Sequence, residues 1–408
     1  MPIVQNTTLA SVRKANVAMV NAFFPRAKDW LYPRFCGSYT VTNAVEPLVI
    51  GGATPPLKVW PGTVNSTGIP SYTMQVPSLL SKNLVYIDRS ELELDQTDTL
   101  MKYSQQFGIT LADYPDQLWA KRLLAGSVAG SQYTTFNGVK YTTTFDGQPY
   151  FSTSHTPNNS AGSAQSNIIA GTHPASISGI FGQDIGTTVN ELQLAVQNVI
   201  NNVMTVQNNQ GFPIYQTFDA KKSIVVIVPP CLEVAAYLAF KTPSSIVGGL
   251  ASGSTGSTTN VMPMFVKDVV SSGLLAGFPD PESNTGGLIA PVNPTDFYVA
   301  IVDDWVKPFY VQLFKPAGPN DLFPKDWNVD ASIESMLNAS AQSGLKVSRD
   351  AATLFSSSIV ETNIGAVGNS AQADVVVNER FFFSSRFRGN VAYGPWFTCW
   401  RVHGANVS

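Results

Sequence analysis

Positions 100 to 123 carry the most sustained helical pattern in the chain. Leu100, Tyr103, Phe107, Leu111, Tyr114, Leu118 and Arg122 recur by threes and fours, and Trp119 and Leu123 widen the stripe. The pattern predicts a helix from Asp95 to Ala125. At about 1.5 Å per residue it would be roughly 45 Å long, beyond an ordinary globular helix. Asp95 and Asp98 suit its positive end, Lys121 and Arg122 its negative end, and Gly126 a stop. Gly108 and Pro115 in its interior predict a bend, or two helices in tandem. A second helix is marked by Val189, Leu192, Val196, Val199 and Val203, opened by a Thr188/Glu191 capping box and closed by the polar run Gln207–Gly211.

The strand signals have a different period. Ser223–Val228 is apolar almost throughout, which predicts a strand covered on both faces, and Pro229-Pro230 leads from it into a helix over Cys231–Phe240. Val261–Val270, Phe297–Val302 and Phe309–Phe314 read as strands, the last two as a hairpin around Asp303–Pro308. In Phe381–Arg388, Phe381, Phe383 and Phe387 share one face; Phe382, Ser384, Arg386 and Arg388 share the other. Gly389-Asn390 then predicts a turn, and Tyr393–Val402 an aromatic strand. Turn residues alternate with β-prone runs from Gly51 to Asp88, which reads as one long hairpin. Asp146-Gly147 is a tight-turn signal inside Tyr141–His155. Residues 160–171 and 248–260 are polar loops, and 318–370 is weakly patterned. Residues 1–50 hold a short helix, Leu9–Phe24, and then Trp30, Tyr32, Phe35 and Tyr39. They lack the makings of their own core and read as an arm that leans on something else.

Composition sharpens this picture in one respect. Over 408 residues, 44% are hydrophobic but only 13% charged, about half the usual share of roughly 25%. A surface so low in charge fits a protein that buries much of it against other protein, or a neutral, β-rich secreted one. The net charge of −3 gives no general attraction to nucleic acid or anionic membrane. The three cysteines, Cys36, Cys231 and Cys399, form neither a metal pattern nor a disulfide frame and fit a reducing compartment. No run approaches a membrane span, and the first 24 residues lack the apolar core of a signal peptide.

Catalytic and cofactor signatures are absent from the sequence. His155, His173 and His403 stand far from metal-ligand spacing, and there is no nucleophile elbow, phosphate loop or dinucleotide fingerprint. A hydrolase would have to use His155, although a lone loop histidine is more often a hydrogen-bonding residue. Asp303-Asp304 suit a turn better than a cation. Cys231 opens a helix, yet it follows a buried strand and reads as a small core residue. Arg386 and Arg388 suit a solvated or intersubunit ion-pair face better than a phosphate site. The expectation is a protein that is not an enzyme and needs no cofactor or metal.

Several motifs, in order, resemble one family. They are Trp60-Pro-Gly62, Arg89–Asp95, Tyr141–His155, Val225–Ala236, Lys307–Pro316 and Arg386–Trp396. Phe145-Asp-Gly-Gln-Pro-Tyr-Phe-Ser-Thr-Ser-His155 is the closest match. In series they resemble the major head subunits of Mu-like tailed phages and prophages, a branch of the HK97-fold capsid proteins. The departures are a longer Gly/Ser loop after Gly248, a longer tract at 318–370, and an acidic pair at the helix start kept only as Asp95-Gln96.

The resemblance implies an α+β, HK97-like capsid fold. Residues 1–50 would be the N-terminal arm and 51–92 the extended E-loop hairpin. Residues 93–185 would be a peripheral domain with a spine helix at 95–126, and 186–306 an axial α/β domain. Residues 307–408 would return to the peripheral domain, with the tract 318–370 inserted. The implied function is a major capsid protein of the virion, self-assembling in the host bacterial cytoplasm into hexamers and pentamers of an icosahedral shell. Its partners would be its own copies, scaffold and portal proteins, and packaged double-stranded DNA held without sequence-specific binding, with no membrane. Candidate assembly residues are Trp60, Tyr72, Pro115, Trp119, Arg386 and Arg388. The competing classes are a receptor-binding or adhesin protein, also low in charge, and the hydrolase on His155.

Overall fold

The computed structural model describes residues 18–19, 21–27, 29–41, 45–51, 71–88, 99–127, 135–136, 139–140, 143–156, 164–170, 185–207, 213–215, 223–246, 257–283, 287–302, 306–314 and 380–403. In chain order its main strands begin with β1 (Cys36–Val41), β2 (Val45–Gly51), β3 (Ser71–Pro77) and β4 (Leu79–Asp88). The long helix α1 (Thr99–Leu124) follows, then β5 (Ile168–Ala170), α2 (Ile185–Thr205) and β6 (Ser223–Val228). After α3 (Glu233–Phe240) and β7 (Val266–Ser271) come β8 (Phe297–Val302), β9 (Phe309–Phe314), β10 (Arg380–Tyr393) and β11 (Cys399–His403).

These elements form an α+β body in which two sheets feed one apolar core. One sheet has the order β7-β6-β8-β11-β5, the other β1-β9-β10-β4. Strand β6 runs parallel to β7 and antiparallel to β8. Its Ile224, Val226, Ile227 and Val228 are fully buried, as a strand apolar on both faces requires. Pro229 ends it, a 3-10 turn at Pro230–Leu232 leads into α3, and α3 carries the crossover that two parallel strands need. The five valine and leucine positions predicted for α2 are all buried. That helix starts at Ile185, so Thr188 is buried one turn inside it instead of capping its end.

Helix α1 runs unbroken across Gly108 and Pro115, so the tandem-helix alternative is excluded. It ends at Leu124 and tightens into the 3-10 turn Ala125–Ser127. Residues 91–98, with Asp95 and Asp98, lie outside the described residues. The second half of α1 follows the predicted stripe: Leu118, Trp119 and Leu123 are buried, and Trp119 stacks on Phe35 with ring centroids 5.0 Å apart. The first half does not. Tyr103 is 69% exposed, and the inward positions are Ser104, Gly108, Ala112 and Asp116, four apart. Small residues at that spacing admit a second backbone, and a Cβ on Gly108 would stand 2.3 Å from the Met19 carbonyl oxygen.

The arm docks in that groove. Residues 21–27 are helical, and Tyr32–Phe35 adds a short turn. Trp30 Nε1 donates to the Ala112 carbonyl, the Leu31 and Tyr32 N–H groups donate to Asp116, and Arg26 pairs with Asp113. From Cys36 onward β1 lies parallel to β9 at the edge of the second sheet.

Strand partners depart from the sequence expectations at several points. The hairpin is a ribbon of β2 and β3 alone, paired from Val45↔Pro77 to Gly51↔Ser71. Residues 52–70 lie outside the described residues, and β4 pairs with β10 in the body instead of with the ribbon. Strands β8 and β9 belong to different sheets, so they are not a hairpin. Strand β10 passes straight through Gly389-Asn390, where a turn was expected. The predicted strand Tyr393–Val402 is interrupted by a 3-10 turn at Trp396–Thr398. The predicted strand Val261–Val270 begins as another such turn at Met262–Met264, and the polar loop at 160–171 contains edge strand β5, parallel to β11.

Candidate functional site

Three of the sequence motifs converge on one buried junction between the sheets. In the first, Gly147 adopts φ +77° and its N–H donates to the Thr144 carbonyl at 2.9 Å. The turn is as predicted, but only an isolated bridge between Thr143 and Pro149 flanks it, not two strands. It sets Asp146 against His155, with Nδ1 2.8 Å from Oδ2 and both side chains fully buried. His155 Nε2 lies 3.1 Å from the Tyr150 carbonyl, and the imidazole stacks on Trp396 at 4.5 Å, the planes 2° apart. Burial alone would raise the Asp146 carboxyl. The hydrogen bond and charge of His155, with bonds from Thr144 and the Gln148 N–H, overcome it and hold the group below the usual aspartate range.

Tyr150 ties in the other two motifs. Its phenol donates to the Pro308 carbonyl at 3.0 Å, and its ring stacks on Tyr393 at 4.6 Å. The Gly394 N–H donates to the same Pro308 carbonyl at 2.8 Å. A Cβ at 394 would lie 2.3 Å from the Lys307 carbonyl oxygen, so only glycine fits between Tyr393 and Pro395. Asn167, fully buried, completes the junction: its Oδ1 accepts from Ser152 N–H, and its Nδ2 donates to the carbonyls of Tyr150, Trp396 and Cys399. Sequence reasoning missed Asn167, because a lone asparagine in a polar loop carries no signal of burial.

Two ion-pair clusters lie beyond the junction. Arg401 Nη2 contacts Asp296 Oδ2 at 2.5 Å, and His403 Nδ1 lies 3.2 Å from Asp296 Oδ1. Lys121 and Arg122 stand in the last turn of α1, as expected for its negative end, and also pair with Asp280 and Glu282, each at 2.6 Å. Burial would raise the Glu282 carboxyl, but Arg122 and Lys121 outweigh it and hold the group low.

His155 has no exposed side-chain surface, and its two ring nitrogens lie within hydrogen-bond distance of Asp146 and the Tyr150 carbonyl. Burial pushes the Cys231 thiol up, against the weaker pull of N–H groups at the helix start, so it is not an activated thiolate. Among the described residues no group of three or more His, Cys, Asp or Glu could hold a metal, and no helix is long and apolar enough to cross a membrane. His173, Asp303 and Asp304 lie outside the described residues.

The six candidate assembly residues do not gather in one place. Trp60 lies outside the described residues. Tyr72 is in β3 opposite Ile50, and Pro115 is inside α1. Trp119 is fully buried in the core. Arg386 and Arg388 sit on β10 opposite Lys82 and Leu80 of β4.

No protein-family model matches the chain, and no curated protein matches it. Solved structures are similar at low identity. The asymmetric unit of the bacteriophage PhiM1 mature capsid is 9% identical, with 93% of this chain and 88% of that one covered, at a TM-score of 0.48. The capsid of cyanophage P-SCSP1u is 11% identical over 92% of this chain and 88% of that one, at 0.47. The bacteriophage JBD30 capsid is 16% identical over 60% of this chain and 90% of that one, at 0.43. At these identities and scores the likeness by itself carries no functional conclusion.

Proposed function

We propose that this chain is the major capsid protein of a tailed double-stranded DNA phage, of the Mu-like branch of HK97-fold subunits, and that it closes with its copies into an icosahedral shell. The observation that carries the reading is the convergence of Tyr141–His155, Lys307–Pro316 and Arg386–Trp396 on one junction. Three of the six motifs through which the sequence resembles that family meet where the two sheets join, which supports the resemblance on architecture as well as on sequence.

On this reading the segment before Cys36 is the arm, the β2–β3 ribbon the E-loop, α1 the spine, and the β6-centred sheet with α2 and α3 the axial domain. Neighbours supply what one copy lacks. A two-stranded ribbon is marginal in water and has free edges. Val234 and Tyr237, three apart on α3 and more than half exposed, offer an apolar face for a second copy. Burial of such surface at repeated contacts drives assembly in the host cytoplasm. Scaffold and portal proteins act as partners, and DNA is contained without being read, since a net charge of −3 gives no general attraction to it.

Sedimentation velocity and negative-stain microscopy of the purified full chain test the reading. Shells, or hexamers and pentamers, support it. A stable monomer overturns it, and a stable trimer or fibre overturns it in favour of an adhesin.

A further inference from the structure

The root of the β2–β3 ribbon rests on two buried amides. Gln312 on β9 and Asn390 on β10 are partners across the ladder and are 0% and 1% exposed. Gln312 Nε2 donates to the Val76 carbonyl at 3.0 Å, and Asn390 Nδ2 donates to the Pro77 carbonyl at 3.0 Å. These are the last carbonyls of β3 before the chain turns into β4. Asn390 Oδ1 faces the other way and accepts from Arg122 Nη2 at 2.9 Å and from Val391 N–H at 2.8 Å. Arg122, 1% exposed at the end of α1, also donates from Nε to the Val391 carbonyl and pairs with Glu282.

A guanidinium can only donate and a backbone carbonyl can only accept. An asparagine between them satisfies both in one orientation of its amide, with oxygen toward Arg122 and nitrogen toward Pro77. Arg122, together with the Val391 N–H, therefore selects the amide orientation that holds the ribbon.

We propose that Arg122 and Asn390 form a buried polar relay which, beside a parallel clamp from Gln312 to Val76, fixes the angle at which the β2–β3 ribbon leaves the body and couples that angle to the end of α1. The proposal rests on the reading of the ribbon as an assembly element only for its biological purpose; the relay itself is a property of the single chain. Asn390 and Gln312 are the positioning residues, and Arg122 is the control.

The near-isosteric variants Asn390→Asp and Gln312→Glu test it. Each keeps the shape and an acceptor oxygen but removes the donor to the β3 carbonyl. In Asn390→Asp the new carboxylate still pairs with Arg122, so the fold has reason to survive. Amide hydrogen exchange of the full chain is read by peptide mass spectrometry. Ribbon peptides over 45–51 and 71–77 are expected to exchange at least about twofold faster in each variant, with α2 and β6 unchanged. Arg122→Lys, which keeps the charge but loses the fork, should speed exchange over 71–77 as well. Acceleration spread evenly over the molecule, or less than about twofold at the ribbon, overturns the clamp. A change confined to the end of α1 in Arg122→Lys overturns the coupling. Exchange needs no shell, so failure to assemble would sink the capsid reading and leave this result standing.

Discussion

Asp146 and His155 set the chemistry of the junction at the scale of single residues. Asp146 is held below its ordinary value of 3.8, so its folded form stays ionised at pH values where the unfolded chain takes up a proton. Its contribution to stability is complete above that ordinary value and disappears as pH falls through the lowered one. Asp146→Asn should therefore cost about 1.5–3 kcal/mol at neutral pH, the range for hydrogen bonds to a charged group. It should also flatten the loss of stability below about pH 4 that the parent protein shows. Urea unfolding across pH 3 to 7 reads both effects, and equal acid sensitivity of the two proteins would refute the assignment. His155→Ala should destabilise by about 2–3 kcal/mol, because it leaves a fully buried carboxylate without its partner. The same titration measures it, and a variant as stable as the parent would mean that another group neutralises Asp146.

Elements differed sharply in how legible they were. Helix α2 and strand β6 were readable because each buries a continuous apolar face, and burial of that kind writes its own period into the sequence. The small-residue face of α1 was not. Ser104, Gly108 and Ala112 carry no hydrophobic signal, while exposed Tyr103 mimicked one. Strand partners were least legible of all: β8 and β9 follow each other yet join different sheets, and β10 crosses a Gly-Asn pair because Asn390 is held from both sides. The convergence at Tyr150 was legible only as separate motifs; the contacts that join them link residues at least 158 apart in the chain. The Gly108 contact gives a prediction whose sign separates two accounts. In a free helix Gly→Ala stabilises by about 1 kcal/mol. Here the added Cβ would strike the Met19 carbonyl, so Gly108→Ala should lower stability and expose residues 18–35 to protease while helical circular dichroism is retained. A stabilised Gly108→Ala variant would refute the close approach.

At the scale of the whole molecule, α1 is held on both sides of its proline. Ala112, Asp113 and Asp116 grip the arm, and Trp119 and Arg122 enter the core and the second sheet. Pro115 stands among the arm-gripping residues without an N–H to close the helical bond to Leu111, so the helical ladder is locally weakened there. A subunit that must fit both hexamers and pentamers gains from flexibility there, whereas a protein acting alone has no such use for it. Pro115→Ala restores the missing bond and improves local helix propensity, so the variant should fold with an unfolding midpoint equal to or above that of the parent. Under the capsid reading its shells should differ in diameter distribution or in their capacity to expand, as measured by cryo-electron microscopy and light scattering. Shells indistinguishable from the parent's would reduce Pro115 to a packing feature.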